Sequence, residues 1–257
     1  MRIIALTLGI IAGLQFTGWA LEDNAARYDN LFQMANEAYE QGEYDTAVSL
    51  YSQVVNAGYS SARLYYNLGN AFFKSEQLAP AILYYEKAAK LAPADGDIRF
   101  NLEMANSQIY DKIESVPTPF LEQSWSFFRN LLSARGWGVL TLICFTGFLA
   151  LLAFYLITPG VSLKRISFFG FMVLLFLAII GFVAGQSARN YILSKDQAIV
   201  FSPSLNVKAE PKNSSADLFV IHEGTKVSVL EQNISWSRVA LPNGNEGWVP
   251  TDEIEPF

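Results

Sequence analysis

Residues 31–55 and 65–89 each read as a pair of short amphipathic helices, with apolar side chains three and four positions apart and polar ones between them. The two stretches are also copies of one another. Setting LFQMANEAYEQGEYDTAVSLYSQVV, from Leu31, over the segment that begins at Tyr65 gives a period of 34. Met34-Ala35 then falls on Leu68-Gly69, Tyr44 on Leu78, Ala47 on Ala81, Tyr51 on Tyr85 and Val54 on Ala88. Small residues recur where two helices would approach closely, and large ones where a ring would fill the gap. A third unit opens at Gly96 and keeps Ile98, Leu102, Ala105 and Ile109 on one stripe, but no second helix follows. It reads as a capping helix over 97–113, because an uncovered last repeat leaves an apolar face in water.

Pro117 and Pro119 end that helix, since neither can donate to a helical ladder. In the linker and helix of 115–135, Phe120, Leu121, Trp125, Phe128 and Leu132 mix with Glu122, Arg129 and Arg135, the pattern of a helix lying at a membrane interface. Two apolar runs follow, Gly136–Leu163 and Ile166–Ala188, and neither contains a charged residue or histidine. Each exceeds the roughly 20 residues a helix needs to cross a bilayer. They predict a transmembrane hairpin, helices 137–157 and 167–187 around a cytoplasmic loop 158–166 that holds Lys164 and Arg165. With no ionisable group inside the spans, a channel or carrier is not expected. From Asp196 the period changes to alternation, in KVSVLE from Lys226 and WSRVAL from Trp236, with the turn Pro242–Asn245 after it.

The N-terminus sets a direction. Met1-Arg2, an apolar run and the small residues before Leu21 read as a signal peptide over 1–20, cut after Ala20. An uncleaved anchor with Arg2 held inside would export the same downstream segment. Two crossings bring the chain back to its starting side, so residues 21–114 and 196–257 are both expected on the periplasmic side of a bacterial inner membrane. Lys164 and Arg165 are then cytoplasmic, as the positive-inside rule prefers, although Arg129, Arg135, Arg189 and Lys195 flank the outer ends.

Composition removes several function classes. The chain is 51% hydrophobic and 16% charged, as a membrane protein would be, and its net charge of −6 argues against a nucleic-acid partner. The one cysteine, Cys144, lies inside the first span and the one histidine, His222, has no cysteine to join it. No catalytic set, cofactor site or metal site is expected, since a nucleophile, base and orienter cannot be assembled around one histidine.

The 34-residue unit resembles the tetratricopeptide repeat, with Leu68-Gly69 in its first helix, Ala81 and Tyr85 in its second and Pro93 closing the second copy. The repeats would span about 28–61 and 62–95; the first departs at its end, where Tyr59 stands in place of proline. The resemblance implies an α-helical solenoid whose concave face holds an extended peptide or a partner helix. By register the groove candidates are Asn36, Tyr39, Tyr66, Asn70, Phe73 and Lys74. Asn70 and Lys74, four apart on one face, would suit an acidic or carboxylate-ended partner, though the same residues also suit an ordinary solvated face. LNVKAEP from Leu205, HEGTKVSV from His222, Trp236 and GWVP from Gly247 resemble the bacterial SH3-like domain. That implies a five- or six-stranded barrel over 196–257, with Val207, Val227, Val229, Val239 and Val249 inside, Trp248 in the core and Trp236 more exposed.

In order, these modules resemble the BatE-type proteins of the Bacteroides aerotolerance group. The resemblance implies a multidomain membrane protein without enzymatic activity, a scaffold among membrane-bound von Willebrand-type proteins. A cell-wall sensor or anchor, its barrel contacting peptidoglycan, and an accessory of a wall hydrolase remain alternative readings.

Overall fold

A computed structural model describes residues 26–257 apart from 115 and 118. The expected signal peptide lies outside the described residues. The first repeat is α1 (26–40) with α2 (Tyr44–Asn56), the second is α3 (Ala62–Lys74) with α4 (Leu78–Leu91), and α5 (Gly96–Asn106) follows. Ser61 and Asp95 accept hydrogen bonds from free amides of the first turns of α3 and α5, which fixes where those helices begin. Ala35, Ala47, Tyr51, Leu64 and Leu68 pack between the first two pairs, and Ala81, Ile82, Tyr85 and Ala105 between the second pair and α5. Gly69 shows why a small residue is needed there: a Cβ would lie 2.7 Å from the Tyr85 ring.

The 34-residue period extends to backbone strain. Gly42 closes the first helical pair with φ +79°, and Glu76, 34 residues on, takes φ +59° at the matching turn. That left-handed conformation suits glycine and costs an L-residue roughly 1–2 kcal/mol.

Helix α5 stops at Asn106, so the single helix expected over 97–113 is shorter. The chain turns away because a partner more than 100 residues distant takes up the next side chains. Ile109 packs beneath Gly224, Ile113 joins the barrel core and Asp111 bonds to His222 and Thr225. Beyond the prolines, α6 (Phe120–Arg129) keeps Phe120, Leu121 and Phe127 exposed and turns Phe128 toward Trp137.

Helices α7 (Ala134–Ile157) and α8 (Val161–Leu193) are long and apolar enough to cross a membrane. They pack antiparallel through small residues: a Cβ on Gly181 would meet the Thr141 hydroxyl at 2.7 Å, and one on Gly185 would meet Trp137. The nine-residue loop expected over 158–166 is a correction. Only Thr158–Gly160 connect the helices, and Lys164 and Arg165 already belong to α8, Lys164 lying over the Tyr155 ring. Helix α8 also outruns the predicted 167–187. At 33 residues and 1.5 Å per residue it is about 50 Å long.

The rest is one antiparallel sheet of seven strands: β1 (Gln197–Val200), β2 (Leu205–Lys208), β3 (Asp217–Ile221), β4 (Lys226–Gln232), β5 (Trp236–Ala240), β6 (Glu246–Pro250) and β7 (Ile254–Pro256). They are arranged β3-β2-β6-β5-β4-β1-β7. Val207, Val227, Val239 and Val249 fill its interior as expected, while Val229 is only half-buried, beside a bulge in β4. The sheet has more strands than the five or six expected because β1 and β7 pair with each other at one edge.

Candidate functional site

The concave side of the repeats is organised by a polar ladder with the same period as the fold. Tyr51 donates its hydroxyl to Asn36 Oδ1 at 2.6 Å, and Tyr85 donates to Asn70 Oδ1 at 2.7 Å. A second donor reaches each of those oxygens from the following helix: Asn67 Nδ2 at 3.0 Å for Asn36, and Asn101 Nδ2 at 2.8 Å for Asn70. All three pairs, Asn36/Asn70, Tyr51/Tyr85 and Asn67/Asn101, are 34 residues apart. Burial pushes the Tyr51 phenol up to about 12 and moves Tyr85 further in the same direction, so both stay protonated donors at neutral pH. With both lone pairs of each Asn carbonyl engaged, the amide N–H groups of Asn36 and Asn70 are what these residues can offer a ligand.

Beside this ladder lies an open hollow of about 550 Å³. Asn36, Tyr39 and Asn70, three of the six groove candidates, line it. Tyr66 and Phe73 do not. They pack in the seam toward α5, where Asn101 also donates to the Tyr66 hydroxyl at 3.1 Å. Lys74 is exposed and outside the hollow. The charges that do line it are Glu37, Glu40 and Arg63, the guanidinium of Arg63 resting over Phe32 at 5.3 Å. The groove is therefore more acidic than the sequence suggests, and the acidic or carboxylate-ended partner that Lys74 implied loses its cation. The missed Asn67 and Asn101 were signalled by their own 34-residue spacing. Glu37, Glu40 and Arg63 carried no such mark.

The larger surprise is how the barrel is held. Asp111, just past α5, accepts three hydrogen bonds from it: His222 N–H at 2.7 Å, the His222 ring at Nδ1 at 2.9 Å and the Thr225 hydroxyl at 2.7 Å. Burial alone would raise the Asp111 pKa, but the bonds from Thr225 and His222 outweigh it and hold the carboxyl below its usual range. Gly224, at φ +81°, brings the β3–β4 turn so near that a Cβ would overlap Ile109 and Ile82. Lys226 pairs with Glu86 of α4 at 2.9 Å, and Ile199 and Phe257 are buried with Ile82 and Tyr85. Lys90 completes the joint: its ammonium donates to the main-chain oxygens of Phe257 at 2.8 Å and Ser194 at 3.1 Å. Repeats, barrel and the end of α8 thus meet around α4.

On the barrel's outer side, the β5–β6 register sets Trp236 opposite Pro250 and Arg238 opposite Trp248, while Ser237, Val239, Gly247 and Val249 face inward. Trp236 is half-buried on this outer face. Trp248, expected in the core, shares that face, because alternation along β6 gives the inward places to Gly247 and Val249. Lys208 lies opposite Trp248 on its other side.

Two family models match the chain: a tetratricopeptide repeat over residues 32–96 and a bacterial SH3 domain over residues 203–255. The chain therefore contains tetratricopeptide and bacterial SH3 domains, separated by two apolar helices. Strand β1 and the residues Pro256–Phe257 lie outside the SH3 match. They supply Ile199 and Phe257 to the joint with α4. No curated protein matches the chain.

Proposed function

We propose that this protein is a non-enzymatic scaffold of the bacterial inner membrane that holds partner proteins at the outer surface of the bilayer. In this reading α7 and α8 cross the membrane as a hairpin, and the repeats and barrel are both periplasmic. One observation carries it: an open, polar, concave groove on a repeat domain that is itself locked to a second binding module. The groove offers amide N–H groups for the carbonyls of an extended peptide, and Glu37 and Glu40 for a basic side chain on it. The partner is thus a peptide segment bearing Lys or Arg. The order of modules, with the helix rich in aromatics ahead of α7, favours a Bat-type aerotolerance complex, where membrane-bound von Willebrand-type proteins are the partners. His222 is committed to the Asp111 joint, so the reading assigns it no catalytic work.

The test is a photo-crosslinking residue at Tyr39 in the full chain in cells, combined with protease added to spheroplasts. The scaffold reading expects a discrete crosslinked partner and cleavage in both the repeat and the barrel. Protection of either one in spheroplasts refutes the two-pass arrangement; its cleavage without any crosslink refutes the groove.

A cell-wall reading also has a specific observation behind it. Trp236 and Trp248 share the barrel's outer face and can stack on sugars, while the neighbouring Arg238 and Lys208, paired with Glu246 and Asp217, would have to exchange those partners to hold peptide carboxylates. The full chain in detergent, rather than a barrel fragment that would uncover Ile199 and Phe257, is the right reagent. Retention on peptidoglycan that is lost in Trp236→Ala favours wall binding.

A further inference from the structure

Where α8 ends, a cavity of about 330 Å³ opens between α3, α4 and the barrel's last strand. Three lysines converge on it from different elements: Lys87 and Lys90 from α4, and Lys195 from the segment between α8 and β1. Glu255 is the one carboxylate side chain in its lining. Lys90 is occupied by two main-chain oxygens and neighbours Asp196, Glu86 and Lys226. Lys87 lies over the Tyr84 ring at 5.1 Å, and Glu255 is the acidic side chain nearest to it and to Lys195 in the lining. Burial pushes the Lys87 pKa down; Glu255 opposes this, and the positive charge of Lys195 takes back part of what Glu255 restores. With Lys90 engaged, two further ammonium groups face one carboxylate side chain across the cavity, room for one more negative charge.

The walls say what kind of anion. Ile192 and Leu193 line the same cavity, Leu193 with 66% of its surface exposed. They continue the apolar face of α8 five residues past Ala188, the end of its charge-free run. At 1.5 Å per residue that is about 7.5 Å beyond the hydrocarbon, the depth of phosphate groups. Arg129, with its guanidinium 4.1 Å from the Tyr191 ring centroid, adds positive charge near the same level, and Arg189 lies nearer the hydrocarbon edge. We propose that the cavity binds the phosphate of an anionic phospholipid, with Lys87 and Lys195 on the phosphate oxygens and an acyl chain running down past Ile192 and Leu193. The site rests on the membrane reading of α7 and α8. It would register the repeat–barrel body at a fixed height on the bilayer, since the lysines come from α4 and from the tether of the barrel.

The full chain is reconstituted with vesicles of phosphatidylcholine alone or with three parts in ten phosphatidylglycerol, and bound lipid is counted by native mass spectrometry after extraction. A basic side chain near an anionic surface contributes about 1 kcal/mol, so Lys87→Gln with Lys195→Gln should weaken phosphatidylglycerol retention about thirty-fold. The equal charge change in Lys112→Gln with Lys212→Gln, both exposed elsewhere, should leave it unchanged. Wild-type retention in the first double variant, at unchanged helical content, overturns the site; so does an equal loss in both, which would mean bulk charge alone. Displacement of the lipid by millimolar inorganic phosphate overturns the lipid assignment in favour of a soluble phosphate. Flotation with neutral vesicles separates the two readings. A chain that floats but ignores phosphatidylglycerol loses only the cavity proposal. One that does not float loses the membrane reading and, with it, the lipid source, and phosphate-dependent thermal stabilisation in detergent, absent in Lys87→Gln with Lys195→Gln, then decides whether an anion binds there.

Discussion

Asp111→Ala should loosen the barrel from the repeats without unfolding either. The carboxylate takes three hydrogen bonds at 2.7–2.9 Å, and its side chain is 13% exposed. Bonds to a charged acceptor contribute about 1.5–3 kcal/mol each, but they are not additive, and the half-exposed His222 can turn to water. Thr225 cannot do so, because it is 2% exposed and its hydroxyl would be left buried without its acceptor. About 3 kcal/mol is a reasonable total, roughly two powers of ten in the opening equilibrium of the joint. Hydrogen exchange reads this directly, in peptides covering 197–202 and 222–226. Trypsin gives an independent measure, since the exposed Lys112 lies in the clasped segment and its peptide bond should be cut faster when that segment lifts away. Lys112→Ala, whose ammonium bonds only within its own segment, serves as control for the exchange and, by removing the cut, identifies the tryptic site. The sign with pH follows from the depressed Asp111 pKa: the contribution of its carboxylate is present above about 3.8 and is lost as pH falls below that. Exchange and cleavage that match wild type in Asp111→Ala would refute the clasp.

Glu76→Gly should raise the unfolding free energy by about 0.5–1 kcal/mol in chemical denaturation, since it relieves a left-handed L-residue at a modest cost in chain entropy. Tyr51 should make the repeats alkali-sensitive. Its native pKa, about 12, lies above the ordinary 10, so its contribution is whole below pH 10 and is lost as pH climbs toward 12. Tyr51→Phe should flatten that decline in a helicity-versus-pH curve. In the groove, Glu37→Lys with Glu40→Lys should cut capture of a basic peptide at least ten-fold in pull-down, while Lys74→Glu, outside the hollow, should change it less than two-fold.

Much of the architecture is legible in the sequence because it depends on near neighbours. The 34-residue period located the helix pairs, and Ala47, Tyr51, Ala81 and Tyr85 are buried where that register places them. The charge-free runs marked α7 and α8, and alternation marked the sheet, because each follows from side-chain periodicity along a single element. Half of the groove set was found for the same reason, a shared helix face. Lys74 misled because its register on α3 says nothing about which charges the neighbouring α1 brings to the hollow.

What only the tertiary structure decided are the contacts between residues far apart along the chain. Asp111 and His222 are separated by 111 positions, Glu86 and Lys226 by 140, and Lys90 and Phe257 by 167. No local period links such pairs, and each side chain taken alone passes for a solvated polar residue or a strand terminus. Their meeting shortened α5 at Asn106 and joined two modules into one body. It also gathered Lys87 and Lys195 around a cavity that neither segment forms by itself. Short-range pattern is fixed by backbone geometry and apolar burial, which any stretch of sequence carries. The docking is fixed by shape and charge matching that exists only once both surfaces have folded.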